Sequence, residues 1–130
     1  MTENPTTGLA ALLGIELQDP DGESVRARLA VTADVLQPYG VVHGGAYGVL
    51  AESLTSHATD DAVKADGNTA IGQSLVTTFL RPISAGHLNA SAQTRHRGRT
   101  TWIWDVEITD DEGRLCALVR ATIAVRPRPS

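Results

Sequence analysis

Apolar and polar positions alternate with a period of two through most of the second half of the chain, which is the signature of half-buried strands. The alternation predicts strands near 69–81, 87–96, 100–109 and 114–126. Trp102, Trp104, Val106 and Ile108 form one apolar face, and Leu115, Ala117, Val119, Ala121, Ile123 and Val125 form another. Asp110-Asp111-Glu112-Gly113 reads as the turn joining the last two strands, and Ser84-Ala85-Gly86 as a second turn. In the first half, Thr6 or Thr7 can cap a short helix that runs through Leu13 and closes at Gly14. Val25, Ala27, Leu29 and Val31 then alternate with Ser24, Arg26 and Arg28 as one further strand, followed by a loop carrying Pro38 and Gly40.

Between these regions the period changes. The stretch from Gly45 to about Thr59 contains no proline and supports a helix. Ala46, Val49, Leu50, Ser53, Leu54, His57 and Ala58 fall on one side, and Gly45, Gly48, Glu52, Thr55, Ser56 and Thr59 on the other. Neither side resembles a solvated surface: no lysine or arginine occurs between Tyr39 and Val63, and Glu52 is the only charge inside the predicted helix. The expectation is a helix buried on most of its circumference, with a small-residue polar stripe facing something other than bulk water.

A strand, a long helix and a run of strands define an α+β domain in which an antiparallel sheet wraps round one helix. A chain of 130 residues is the size of one domain, and it can bury a modest core without disulfides. The ends, near 1–6 and 127–130, are polar or proline-rich and are expected to fray. One helix cannot cover both faces of such a sheet, so dimerisation is expected. Cys116 is the only cysteine, sits in an apolar run and is read as a reduced, packed thiol, which suits the cytoplasm. No positively charged segment precedes the short apolar stretch Leu9 to Leu13, so no secretory signal is expected, and no apolar run approaches membrane-spanning length. The net charge of −4 gives no general attraction to nucleic acid or to an anionic membrane, so an anionic ligand has to be held by local arginines.

The stretch Gln37-Pro38-Tyr39-Gly40-Val41-Val42-His43-Gly44-Gly45 runs into the helix that holds Glu52 and Ser56. A helix start leaves backbone N–H groups unsatisfied and carries partial positive charge, which favours an oxyanion or a polarised carbonyl. Glycines there let a ligand approach the backbone closely. Glu52 lies about two turns further in and Ser56 one turn beyond it, so carboxylate and hydroxyl share a face. A lone acid among small and apolar residues is costly to bury unless it is paired or used. The residues alone define a candidate acyl-transfer or proton-transfer site.

The run Gln37 to Ser56, QPYGVVHGGAYGVLAESLTS, resembles the active-site segment of hotdog thioesterases of the 4-hydroxybenzoyl-CoA type, whose catalytic acid is a glutamate on the central helix. It is most similar to the 1,4-dihydroxy-2-naphthoyl-CoA and related aryl-CoA thioesterases, the PaaI-like enzymes. The resemblance extends over nearly the whole chain, and Gly113-Arg114-Leu115-Cys116 also fits the closing hairpin. It implies a hotdog fold, dimeric or tetrameric, and hydrolysis of an aromatic or medium-sized acyl-CoA. By position it implies that Glu52 attacks the thioester or activates water, and that Gly44 N–H polarises the carbonyl. Gln37 and His43 orient the thioester, Ser56 positions the hydrolytic water, and Gln37 and Glu52 come from different subunits. Arg81, Arg97, Arg99 and Thr100 correspond to positions that border the coenzyme A phosphates. The strand end Thr78-Phe79-Leu80-Arg81-Pro82 departs from the naphthoyl-CoA enzymes, which leaves the acyl group open.

Two other readings compete. A hotdog dehydratase or hydratase would carry a His-Phe-Pro type loop or an Asp/His pair, and neither occurs. A non-catalytic acyl-CoA-binding protein would lack the helical acid, and Glu52 is present. His43, His57, His87 and His96 show no HxH or HExxH spacing and there is no cysteine pair, so no metal is expected, and without a phosphate-loop or dinucleotide fingerprint no cofactor is expected either.

Overall fold

The computed structural model describes residues 3–129. A short helix, α1 (Gly8–Leu12), precedes a hairpin of β1 (Glu16–Asp21) and β2 (Ser24–Ala30). The long helix α2 (Gly44–Val63) follows, and then β3 (Asn68–Phe79), β4 (His87–Arg97), β5 (Thr101–Thr109) and β6 (Leu115–Pro127). The strands form one antiparallel six-stranded sheet in the order β1-β2-β4-β5-β6-β3. With α2 packed along its concave face, this is the hotdog fold.

The alternating pattern locates the last four strands to within a few residues; β4, β5 and β6 each bury one face, whereas no residue of β3 is buried in the single chain. Trp102 pairs with Ile123, Trp104 with Ala121, Val106 with Val119 and Ile108 with Ala117, so the apolar faces of β5 and β6 are one continuous surface under α2. Leu115 departs from its expected place. A register shift between Ile108 and Thr109 turns it outward, 38% exposed, while Cys116 takes the buried position. Burial raises the pKa of the Cys116 thiol, with the Asp110 carboxylate adding to the effect, and its Sγ–H donates to the Arg114 carbonyl at 3.3 Å. It is a packed, unreactive thiol.

β1 was not legible in the pattern. It is an edge strand containing Pro20, and Leu17, paired with Ala27, is its only buried side chain. Gly22, at φ 61°, makes its tight turn into β2. The ends expected to fray are tied at two points: Leu17 N–H donates to Asn4 Oδ1 at 2.8 Å, and Arg128 N–H donates to the Gly67 carbonyl at 2.8 Å. Residues 1, 2 and 130 lie outside the described residues.

α2 starts at Gly44 and continues past Thr59 to Val63. Its buried face is Ala46, Tyr47, Leu50, Ala51, Leu54, Thr55, Ala58, Thr59 and Val63. Thr55 and Thr59, expected on the polar stripe, are fully buried because their hydroxyls donate to the carbonyls one turn back, Ala51 O at 2.8 Å and Thr55 O at 2.7 Å. Thr59 Oγ1 also accepts the indole N–H of Trp104 at 2.9 Å, pinning helix to sheet. Thr59→Val keeps the shape and strands that buried N–H, which costs about 1–3 kcal/mol. The expected result is a lower denaturant midpoint with unchanged kcat.

Near its C-terminus α2 is anchored by Asp60, which accepts from Thr69 Oγ1 at 2.8 Å, Ala70 N–H at 3.3 Å and Arg128 Nη2 at 3.0 Å. Burial works to raise the Asp60 pKa, and these three donors outweigh it, so the carboxyl is held below its ordinary value. No helix among the described residues is long and apolar enough to cross a membrane.

Candidate active site

The loop before α2 folds back on itself: Gly40 N–H donates to the Gln37 carbonyl at 2.9 Å, Gln37 N–H to the Val41 carbonyl at 2.8 Å, and Leu36 bridges to Val42. Val42 N–H donates to the Ile83 carbonyl and His43 N–H to the Val35 carbonyl, each at 2.8 Å, which fixes the start of the helix. His43 occupies the N-cap position, yet its exposed side chain makes no capping hydrogen bond, and the first turn carries no acidic residue. Ala46 N–H bonds the His43 carbonyl at 3.0 Å, while Gly44 and Gly45 N–H have no acceptor among the described residues. A 20-residue helix therefore presents an uncapped, positively polarised end.

That end opens on a cavity of about 340 Å³. Gln37, Gly44 and Arg81 line it, and Val41, Val42, Tyr47, Phe79, Leu80 and Pro82 supply apolar wall. Tyr47 and Phe79 meet edge to face, ring centroids 5.2 Å apart. A Cβ on Gly44 would lie 2.8 Å from Phe79 Cζ, so the glycine is required for the ring to close over the helix start. Sequence reasoning missed the aromatic pair, because it depends on the register of β3 against α2.

The two remaining helical residues lie elsewhere. Glu52 is roughly 12 Å along the helix from Gly44 and does not line this cavity. It was expected on a buried stripe, and in the single chain it is exposed. The stripe runs along β3: Gly44 faces Phe79, Gly48 faces Leu75 and Glu52 faces Gly72. β3 is the sheet's edge, and no strand among the described residues pairs with its outer side. Ser56 is half-buried one turn after Glu52.

Arg97, Arg99 and Thr100 are not near the cavity either. Arg97 ends β4, and Arg99 and Thr100 lie in the turn to β5; there Thr101, the first residue of β5, pairs with Ala124, whereas Phe79 at the cavity pairs with Ala117, roughly 23 Å away along β6. Arg97 stacks on the Trp102 ring at 4.8 Å and donates to Thr94 Oγ1, while Arg99 is exposed and Thr100 gives its carbonyl to Val125 N–H. Of the arginines considered for an anionic ligand, only Arg81 reaches the cavity of its own chain.

The hotdog architecture, with an uncapped glycine-rich helix start opening on a cavity, defines the frame of a thioester hydrolase. The thioesterase superfamily model matches residues 39–117, and the chain belongs to that family. A thioesterase from Pseudomonas aeruginosa, solved as a mutant, superposes with a TM-score of 0.87 at 38% identity, covering 90% of this chain and 84% of that one. The 1,4-dihydroxy-2-naphthoyl-CoA hydrolase of Listeria monocytogenes is 33% identical over 121 residues, 93% of this chain and 98% of its own. The PaaI protein of E. coli, from the phenylacetic acid degradation operon, is 31% identical with a TM-score of 0.77, covering 93% of this chain and 83% of that chain. The chain is a thioester hydrolase of the PaaI-like kind.

Proposed function

We propose that the protein hydrolyses an aromatic or medium-sized acyl-CoA to the free acid and coenzyme A at a site shared by two subunits. The observation that carries this reading is the uncapped start of α2 at the cavity: Gly44 N–H has no acceptor among the described residues and is available to a carbonyl oxygen that gains negative charge. Gln37, which lines the cavity, supplies a side-chain amide to orient the thioester, and His43, at the N-cap with its side chain exposed, is proposed to help orient it. Glu52 supplies the carboxylate. As a nucleophile it bonds the carbonyl carbon while the C–S bond breaks and the thiolate leaves, and water then cleaves the anhydride. As a general base it takes the proton of a water that Ser56 orients, and that water's oxygen displaces the thiolate.

The edge strand supports a site shared between subunits. β3 is twelve residues long, with one side of its ladder unpaired. It exposes Ile71 (54%), Val76 (65%) and Phe79 (55%), an apolar edge that calls for a partner. Antiparallel pairing of β3 with its own copy about a two-fold axis sets the start of one strand beside the end of the other. Glu52, Arg97, Arg99 and Thr100 of one subunit then approach the partner's helix start, cavity and Arg81. In that arrangement the arginines meet the coenzyme A phosphates, and a pair of such dimers forms a tetramer. A coenzyme A substrate and a reduced thiol suit the cytoplasm.

A panel of benzoyl-, phenylacetyl-, naphthoyl-, hexanoyl- and palmitoyl-CoA tests the reading. The expected result is a higher kcat/KM for aryl and medium chains. A value for palmitoyl-CoA well above every aryl-CoA overturns the acyl preference, and tight binding without turnover of any thioester overturns the activity.

A further inference from the structure

The geometry points to Gly72 as the residue that positions the Glu52 carboxylate, by leaving a side-chain-free notch on β3 in which it rests. Glycine weakens a strand interior, and where it occurs it commonly marks a bulge or a close approach. Both are found here. The β3–β6 register shifts between Gly72 and Ser74, so the ladder is interrupted directly after Gly72. A Cβ built on Gly72 collides with Glu52 Oε2 and lies 3.3 Å from its Cδ and 3.5 Å from its Cγ. The carboxylate thus occupies the space beside Gly72 where the Cβ of any larger residue would stand.

Shape is what holds it there. Among the described residues no ion pair engages Glu52. The neighbouring positions of the same stripe are filled differently, Gly44 by the ring of Phe79 and Gly48 by Leu75 at 3.9 Å, so the notch at Gly72 is specific to the acid. Gly72 has no positive φ, so alanine fits its backbone without strain. The group that a methyl would displace is the far end of a flexible side chain, so the substitution moves the carboxylate at little cost to the fold. This inference rests on Glu52 being the acid that acts on the thioester.

Gly72→Ala tests it, on the oligomer as purified. Misplacing a reacting group by about 1 Å can cost 10²-fold, so kcat should fall between about tenfold and a hundredfold with KM within a few-fold of wild type. The melting temperature should hold or rise slightly, since alanine restricts the unfolded chain. Glu52→Asp is made alone and with Gly72→Ala, because the shorter side chain withdraws from the methyl. The two losses should then be less than additive in the double variant, as expected for groups in contact. A Gly72→Ala enzyme with wild-type kcat, or losses that simply multiply, overturns the positioning role. If Glu52→Gln retains activity, the catalytic assignment fails instead. If Glu52→Gln is inactive and Gly72→Ala is fully active, only the positioning role fails.

Discussion

Glu52→Gln should lower kcat by at least roughly 10²–10⁴-fold, the usual contribution of a positioned acid–base group, while binding of a non-hydrolysable acyl-CoA analogue survives. Glutamine keeps the size and the notch beside Gly72 but removes the anionic oxygen that attacks the carbonyl or takes a proton from water. The fold should not suffer, because within the chain Glu52 is exposed and no ion pair among the described residues depends on it. Loss of kcat with the analogue still bound separates chemistry from recognition. Measuring kcat, analogue affinity and melting temperature on one preparation decides the matter. A variant that folds, binds the analogue and turns over within a few-fold of wild type would mean the wrong residue has been named.

β4, β5 and β6 were legible because each buries one face, and the helix because no charge interrupts it before Asp60 except Glu52. What stayed hidden depended on register. Leu115 reads as an inward residue by counting in twos, and a one-residue shift turns it out. Arg97 and Arg99 look equivalent beside a turn, but the hairpin lays Arg97 on Trp102 and leaves Arg99 exposed. β3 reads as a strand, yet nothing in its pattern says that it lies at an edge. The candidate site was legible as a motif and not as an assembly. His43, Gly44 and Glu52 are close in sequence, but helix rise carries Glu52 away from the cavity, so in the single chain Gln37 lines the cavity and the carboxylate does not. Gly72 did leave a signal: a lone glycine inside a predicted strand marks a place where something comes close to the backbone.

Leu75→Lys should convert the enzyme to a monomer and abolish measurable turnover. Leu75 pairs with Ala121 on the inner face of the sheet, faces the stripe of α2 at Gly48, and lies on the edge strand whose outer ladder is unpaired among the described residues. A lysine there puts an ammonium where a second copy of β3 and α2 would close, and lysine on an edge strand is a common device against edge-to-edge pairing. Sedimentation across a dilution series should show a smaller species whose specific activity falls with the dimer fraction. Should the variant fail to fold, which is common when a protomer depends on its partner, complementation supplies the same answer. Gln37→Ala and Glu52→Gln homodimers each lack one half of every site, whereas a heterodimer has one site with both residues intact. Unfolding and refolding the two variants together at equal ratio should restore about a quarter of wild-type activity, since half the dimers are mixed and half their sites are whole. Active monomers, or mixed dimers that form and stay inactive, would mean that each subunit carries a complete site of its own.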